Sequence, residues 1–414
     1  MPNISTTNKN AIYKYTASIT TLFKNDKDPI KLEFLRIKGF TIKYNYDNSN
    51  MPIVYTTVAM THEQAKKFKD NQKEGTVLFN VKKYIENGDM PGLEVDVIKE
   101  ECVYFMPNSI AKEREQASDP ERTEDYGYIF SLGLLKVDLI NKSKTHKNGV
   151  INKGSMSAAL CWILSDHKLL IEPLDHNDQL KQVFIPPTDS TADVIKYLNS
   201  LSTFYDTPYR FFMDYDVTYL LSSSGKGLKR KGDINTVVKI TLIKEYDESN
   251  MEGMGEDKEN KMYLLNVSAS NADLYRANMA DKMTSKVTTI DTVGESNSAE
   301  LEKNNGPVQA KQTTIRVSNK NTRMKDTMRI NVLNNENVLV ITKNKIDSSV
   351  LTLNKIYYVD ADAVYEKEDI SGYYLLGSKM EVYSPEGNGY ASSVMLVLKR
   401  ISSQINEKGS IKLL

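Results

Sequence analysis

Tyr13-Lys14-Tyr15-Thr16-Ala17-Ser18-Ile19 alternates without a break. Tyr13, Tyr15, Ala17 and Ile19 fall on one side, and Lys14, Thr16 and Ser18 on the other. A strand points successive side chains to opposite faces, so this is the pattern of a strand with one face in a core. The same period recurs at Ile30, Leu32 and Phe34; at Phe40, Ile42, Tyr44 and Tyr46; at Val77, Phe79 and Val81; and at Leu93, Val95 and Val97. Several such runs parted by turns predict a sandwich or barrel over residues 1–112. Residues 61–72 break the rhythm. They are polar and helix-like, with Thr61 as N-cap and Gln64 three positions on completing a capping box.

Moving outward, a charged linker at 111–125 leads into a unit of mixed periods, 122–222, whose last strand has the option of rejoining the first barrel. Phe130, Leu132, Leu134 and then Leu135, Val137, Leu139 read as strand, with Gly133 marking a bulge. Residues 155–165 predict a buried helix carrying Met156, Ala159, Leu160, Trp162, Ile163 and Leu164. A second helix is predicted over 188–202. Pro186 and Pro187 precede it, Ser190 or Thr191 caps it, and Val194, Ile195, Leu198 and Leu201 form its stripe. Strand-like runs at 169–172 and 209–221 flank the helices.

Strands return at Val238, Ile240 and Leu242, and 262–267 is expected to pair with them antiparallel across the acidic 245–261 loop. The 268–325 stretch is poor in apolar residues. Ordering costs on the order of 1–2 kcal/mol of backbone entropy per residue, so the stretch predicts an arm ordered by a neighbouring chain. A helix at 271–283, with Leu274, Tyr275, Met279 and Met283 on one face, would anchor it. Alternating runs then recur at Met328, Ile330, Val332; Val338, Val340; Ile356, Tyr358; Tyr373, Leu375; Met380, Val382; and Met395, Val397. The fold class predicted is mainly β with an α+β middle unit: a β unit at 1–112, the 122–222 unit, a second β unit at 233–402 interrupted by the 268–325 arm, and a tail at 403–414.

The 414 residues suit roughly two to four domains. A net charge of zero argues against a general nucleic-acid binder, which needs a basic excess. The two cysteines, Cys102 and Cys161, sit in apolar runs and are expected as buried free thiols, too few for a secreted disulfide framework. The polar first ten residues lack a signal-peptide core, and no apolar run approaches the roughly 18 residues that span a bilayer. Synthesis in a cytoplasm, without a membrane anchor, is therefore the expectation.

Little in the chain points to catalysis. The basic run from Gly225 to Gly232 has no Ser or Thr after its lysine and precedes a strand, so it is not a phosphate loop. Asp166-His167 and Asp175-His176 match no metal-ligand spacing. Asp214-Tyr215-Asp216 would put two carboxylates on one side of a half-buried strand, with no histidine or cysteine nearby to make a catalytic set. The 24 tyrosines beside one tryptophan suit half-buried strands. No catalytic, cofactor-binding or metal-ligating residue is assigned, and no cofactor is expected. The chain is expected to be a building block of a larger assembly and not an enzyme.

One segment carries a more specific pattern. From Asp193 to Ser222 a helix ends near the aromatic pair Phe204-Tyr205. Tyr209-Arg210-Phe211-Phe212, the acidic Asp214-Tyr215-Asp216 and Thr218-Tyr219-Leu220-Leu221-Ser222 follow. This resembles the baseplate hub proteins of contractile-tailed phages and related bacterial contractile injection machines. Met51-Pro52-Ile53-Val54-Tyr55 after Tyr46-Asp47, and Ser371-Gly372-Tyr373-Tyr374 through Tyr390 to Arg400, echo it. The 245–261 loop and the 268–325 arm have no counterpart in the family. The resemblance implies two tube-protein-like β-barrels per chain and a homotrimeric, pseudo-sixfold ring. That ring would adapt a sixfold tail tube to a threefold central spike. Its implied partners are the tube or tube-initiator protein, the spike and baseplate wedge proteins, and its place is the virion. It brings no catalytic residues. The rival readings are a tail-associated cell-wall hydrolase acting through Asp214 and Asp216, and a receptor- or carbohydrate-binding tail module using exposed tyrosines.

Overall fold

The computed structural model describes residues 13–47, 49–85, 94–106, 128–144, 147–177, 179–185, 190–205, 208–223, 237–243, 254–257, 262–276, 283–290, 296–301, 308–315, 337–361 and 370–402. The opening alternation forms β1 (Tyr13–Leu22), with Tyr15, Ala17 and Ile19 buried. Next come β2 (Lys31–Leu32), β3 (Ile37–Asn45), β4 (Ile53–Met60), α1 (His62–Asp70), β5 (Thr76–Ile85), β6 (Glu94–Phe105) and β7 (Tyr128–Lys136). The capping box forms as expected. The Thr61 hydroxyl accepts from the Gln64 amide, and the Gln64 side chain accepts from the Thr61 amide, each at 3.2 Å.

The middle unit contains α2 (Val137–Ser143), β8 (Gly149–Ser155), α3 (Met156–Ile163), β9 (Leu169–Ile171), β10 (Gln179–Ile185), α4 (Thr191–Leu201), β11 (Tyr209–Met213) and β12 (Thr218–Ser222). Ser190 is the cap of α4, accepting from the Asp193 amide. Val137 and Leu139 belong to a helix and not to the predicted strand. Leu139 packs into the helical layer, and Asp138 and Lys142 pair at 2.9 Å one turn apart. Gly133 marks no bulge. β7 pairs with β4 and β6 in unbroken register there, and a Cβ on Gly133 would lie 2.1 Å from the Phe105 ring. Close approach, not a kink, demands the glycine. On α3, Met156, Ala159, Leu160 and Ile163 are buried, which turns Trp162 and Cys161 outward. Cys161 is therefore exposed, and of the two thiols only Cys102 is buried.

The C-terminal part runs β13 (Val237–Ile243), β14 (Met254–Asp257), β15 (Met262–Ser268), β16 (Ala272–Arg276), β17 (Met283–Ile290), β18 (Ser296–Leu301), β19 (Val308–Ile315), β20 (Asn337–Asn344), β21 (Ile356–Asp360), β22 (Gly372–Glu386) and β23 (Gly389–Ser402). β15 pairs with β13 in parallel, not antiparallel, from Val237↔Met262 to Ile243↔Ser268. The intervening 244–261 span is long enough for the crossover a parallel pair requires, and it holds β14, which lines β15 antiparallel. From Ala272 on, the described residues of the helix predicted over 271–283 are strand instead. Ala272–Arg276 is a strand on β20, with Ala272 buried, Leu274 against the core and Tyr275 exposed. Met279 lies outside the described residues, and Met283 opens β17. β17, β18 and β19 form a three-stranded sheet where an irregular arm was expected. The linker at 111–125, the Gly225–Gly232 run, Met328, Ile330, Val332 and the 403–414 tail lie outside the described residues.

Eight strands, in the order β22-β3-β4-β7-β6-β5-β1-β23, close into a barrel through the β22–β23 pairing. The barrel expected within 1–112 thus takes β7 from the middle of the chain and its closing hairpin from the end. β22 and β23 are 15 and 14 residues long. Their far halves carry the sheet onward, β22 to β21, β13, β15 and β14, and β23 to β20 and β16. β15 passes through one 3-10 turn, Ala269–Asn271, into β16.

Candidate functional site

The barrel interior is packed, and tyrosine supplies much of the packing. The Phe40 and Tyr383 rings stack at 4.2 Å, and Tyr15 meets Tyr383 edge-on at 4.9 Å. Lys379 and Glu381 share the inward face of β22 with Tyr383, and their side chains pair at 2.9 Å while only 6% exposed. Glu381 also accepts from the Ser348 hydroxyl at 2.5 Å and the Tyr383 hydroxyl at 3.1 Å, and the Lys379 ammonium lies 4.3 Å from the centre of the Tyr44 ring. These contacts supply the partners that buried charges need. Burial pushes the hydroxyls of Tyr44, Tyr46 and Tyr383 well above their ordinary pKa, so they stay neutral.

The β11–β12 hairpin joins this barrel to the helical layer. Phe212, Tyr219 and Leu221 enter the barrel-side core, while Phe211, Met213 and Leu220 enter the core around α3 and α4. Both faces are therefore buried, and the predicted polar face does not exist. The hairpin turn is Asp214–Val217, closed by the Asp214 amide donating to the Val217 carbonyl at 2.9 Å. Asp214 and Asp216 thus lie on a turn, not on one side of a strand. Asp214 is half-buried, with its carboxylate accepting from the Tyr215 amide at 2.8 Å, and Asp216 is exposed. Burial raises the Asp214 pKa against the opposing pull of the Lys379 ammonium. Beside it, the Lys136 ammonium donates to the Tyr215 carbonyl at 3.2 Å and pairs with Glu100 at 2.9 Å. The Met213 amide donates to the Asn50 carbonyl at 2.7 Å, and Phe212 meets Tyr46 edge-on at 4.6 Å. The arrangement is a plug seated in the barrel, and its polar groups are committed to holding it.

A cleft of about 480 Å³ opens beside the plug. Asp47 stands between two cations there, 3.8 Å from the Arg210 Nε and 2.9 Å from the Lys399 Nζ. The Arg210 guanidinium also donates to the Leu376 carbonyl. Residue-by-residue reading did not single out this trio, although a lone arginine in the apolar run Tyr209–Met213 is itself a signal that a buried partner exists. Lys379 and Glu381, in phase with Tyr383, carried the same signal.

The other candidates disperse. His167 Nδ1 bonds the Thr218 hydroxyl at 2.9 Å, and burial lowers its pKa. Asp166 pairs with Lys147 at 3.0 Å, and the His176 amide donates to the Phe204 carbonyl. Among the described residues no three His, Cys, Asp or Glu side chains are grouped to hold a metal ion. Ten of the described tyrosines are buried core residues and others pack half-buried against the cores, whereas Tyr275 is 59% exposed. Val150 and Phe184, cross-strand partners on β8 and β10, are 50% and 57% exposed. No helix among the described residues is long and apolar enough to cross a membrane.

This fold, a closed barrel extended through one long hairpin and plugged by a second, is similar to the folds of two solved tail proteins. The structure matches the tail protein from Neisseria meningitidis MC58 with a TM-score of 0.52 at 9% identity, covering 93% of this chain and 96% of that one. It matches the prophage MuSo2 43 kDa tail protein from Shewanella oneidensis with a TM-score of 0.51 at 11% identity, covering 93% and 98%. The chain belongs to the family described as Bacteriophage PBS1 gene 109 protein, whose family model matches residues 7–401. No curated protein matches it in sequence.

Proposed function

We propose that this chain is a structural baseplate hub protein of a phage tail, a homotrimer whose ring adapts a sixfold tail tube to a threefold spike. The observation that carries the reading is the shared hairpin. The near ends of β22 and β23 close the eight-stranded barrel. Their far ends run β22-β21-β13-β15 on one side and β23-β20-β16 on the other, and β15 and β16 are joined only by the 3-10 turn Ala269–Asn271. That path supports a second barrel-like unit fused to the first. Three chains with two such units each present six similar modules to a tube and three repeats to a spike. Closing the ring needs head-to-tail contacts between copies. A packed barrel interior fits this reading, because any central conduit would then run between chains and not through one. The exposed Val150–Phe184 pair supplies apolar surface for contacts with the tube, the spike or wedge proteins in the virion.

Mass measurement of the assembled ring tests the proposal: three copies are expected, and two, four or six would overturn it. A cell-wall hydrolase finds no support in a half-buried Asp214 committed to its own turn and an exposed Asp216. Asp214→Asn and Asp216→Asn are expected to change nothing on zymograms of bacterial cell walls. Clearing by the parent chain that both substitutions remove would overturn the non-enzymatic reading. A carbohydrate-binding module would display its tyrosines, whereas ten of the described ones are buried in the cores.

A further inference from the structure

We infer that the sheet of β17, β18 and β19 joins copies of this chain edge to edge, with β18 of one copy pairing antiparallel onto β19 of the next. The three strands form a sheet of their own, bonded to no other described strand, and β17 lies at its centre. One edge of β18 and one of β19 are therefore unpaired among the described residues. An open edge is a template for another strand unless proline, a bulge or charge blunts it. Neither edge strand contains proline, each carries a single charged residue, and neither register slips. Those two charges point to the occupant. The register sets Lys286 of β17 opposite Glu300 of β18 on one side and opposite Lys311 of β19 on the other. Across the sheet the row reads acidic, basic, basic, so Lys311 ends it beside a second lysine. Like charges directly opposite one another destabilise a sheet, and an opposite charge offsets them. Glu300 of the same chain stands at the far edge, so a second copy supplies the acidic residue that Lys311 calls for. Setting that Glu300 opposite Lys311 matches all six residues of β18 to the last six of β19, 310–315. β18 runs against β17 and β19 runs along it, so a copy added with the same strand directions brings its β18 antiparallel to β19. Such a contact is head-to-tail, as a closed ring requires. The number of copies rests on the trimeric reading, whereas the edge contact needs only a second copy.

Oxidative cross-linking of the full chain tests it, in a Cys161→Ser background that removes the exposed thiol. Ala299→Cys with Gln312→Cys, and separately Ser298→Cys with Thr313→Cys, place cysteines at facing positions of the contact. Within one chain, Val287 separates the first pair and Thr288 the second, both on the central strand. Two strand spacings, about 9.5 Å, exceed the roughly 4.4–6.8 Å between Cα atoms that a disulfide bridges. The bonds can therefore form only between copies. Consecutive antiparallel pairs alternate in spacing, so one of the two falls where side chains are closer. Disulfide-linked multimers are expected on non-reducing gels for at least one pair. Lys311→Glu should lower their yield several-fold, and adding Glu300→Lys should restore it by exchanging the charges. Monomers alone from both pairs would overturn the inference, including the case in which the edge takes a strand of another protein. A yield unmoved by Lys311→Glu would overturn it as well. Monomers alone from a ring that weighs three copies would sink this contact and leave the ring reading intact. Linked multimers from a chain that forms no trimer would support the contact and overturn the ring.

Discussion

At the scale of single residues, the barrel accommodates charge where an apolar core would be simpler. Lys379 and Glu381 are mutually satisfied, so removing one strands the other. Loss of one partner from a buried pair costs about 3–5 kcal/mol, whereas replacing both with apolar residues of similar size is often neutral. Asp214 is a different case, because burial has raised its pKa. A carboxyl with a raised folded pKa contributes its full stability only below its ordinary value of 3.8 and loses it as pH climbs through the folded value. At neutral pH the charged Asp214 is therefore a liability. Asp214→Asn keeps an oxygen to accept from the Tyr215 amide and should melt at a higher temperature than the parent at pH 7. The advantage should vanish below pH 3.8. Melting curves across pH check this, and a constant offset would refute the assignment.

At the scale of elements, β7 shows how a glycine serves its neighbour. The Phe105 ring covers Gly133 across the β6–β7 pair and meets Tyr55 edge-on at 6.4 Å. Gly133→Ala would drive a methyl group into that ring, an overpacking that typically costs about 1–3 kcal/mol. Chemical denaturation should record the loss. Adding Phe105→Ala should make the alanine at 133 cost less than it does beside the phenylalanine, because the obstructing ring is gone. A double-mutant cycle with no coupling would show that the contact does not govern the position.

At the scale of the whole molecule, the β11–β12 hairpin has one face in each of two cores, so the barrel and the helical layer should unfold together. Phe212 is fully buried and points to the barrel side. Phe212→Ala should cost about 3–5 kcal/mol and loosen the plug without touching Phe211 or Met213, which hold the helical side. Calorimetry is expected to show one transition for the parent and two for the variant. A single, uniformly lowered transition would mean that the coupling runs through other contacts.

Signals that act between near neighbours in the chain were legible without the structure. The alternation of β1, the capping box of Thr61 and Gln64 and the Ser190 cap arise from local geometry and appear where the residues indicate, and the stripe of α4 does so for Val194, Ile195 and Leu198, while Leu201 at the helix end is exposed. Pairing was not legible, because it depends on residues far apart. Glu381 lies opposite Ile42, Tyr15 opposite Tyr390, and β13 runs parallel to β15. The alternation of Val137 and Leu139 over so few residues fits helix and strand alike, and packing of Leu139 against α3 and α4 decides it. The trio of Asp47, Arg210 and Lys399 comes from a turn, a middle hairpin and the last strand. Sequence alone determined that this chain is strand-rich with a helical middle unit. Only the tertiary structure decided which strands close the barrel and that Asp47, Arg210 and Lys399 meet beside it, because those hydrogen-bond ladders and ion pairs join segments hundreds of residues apart.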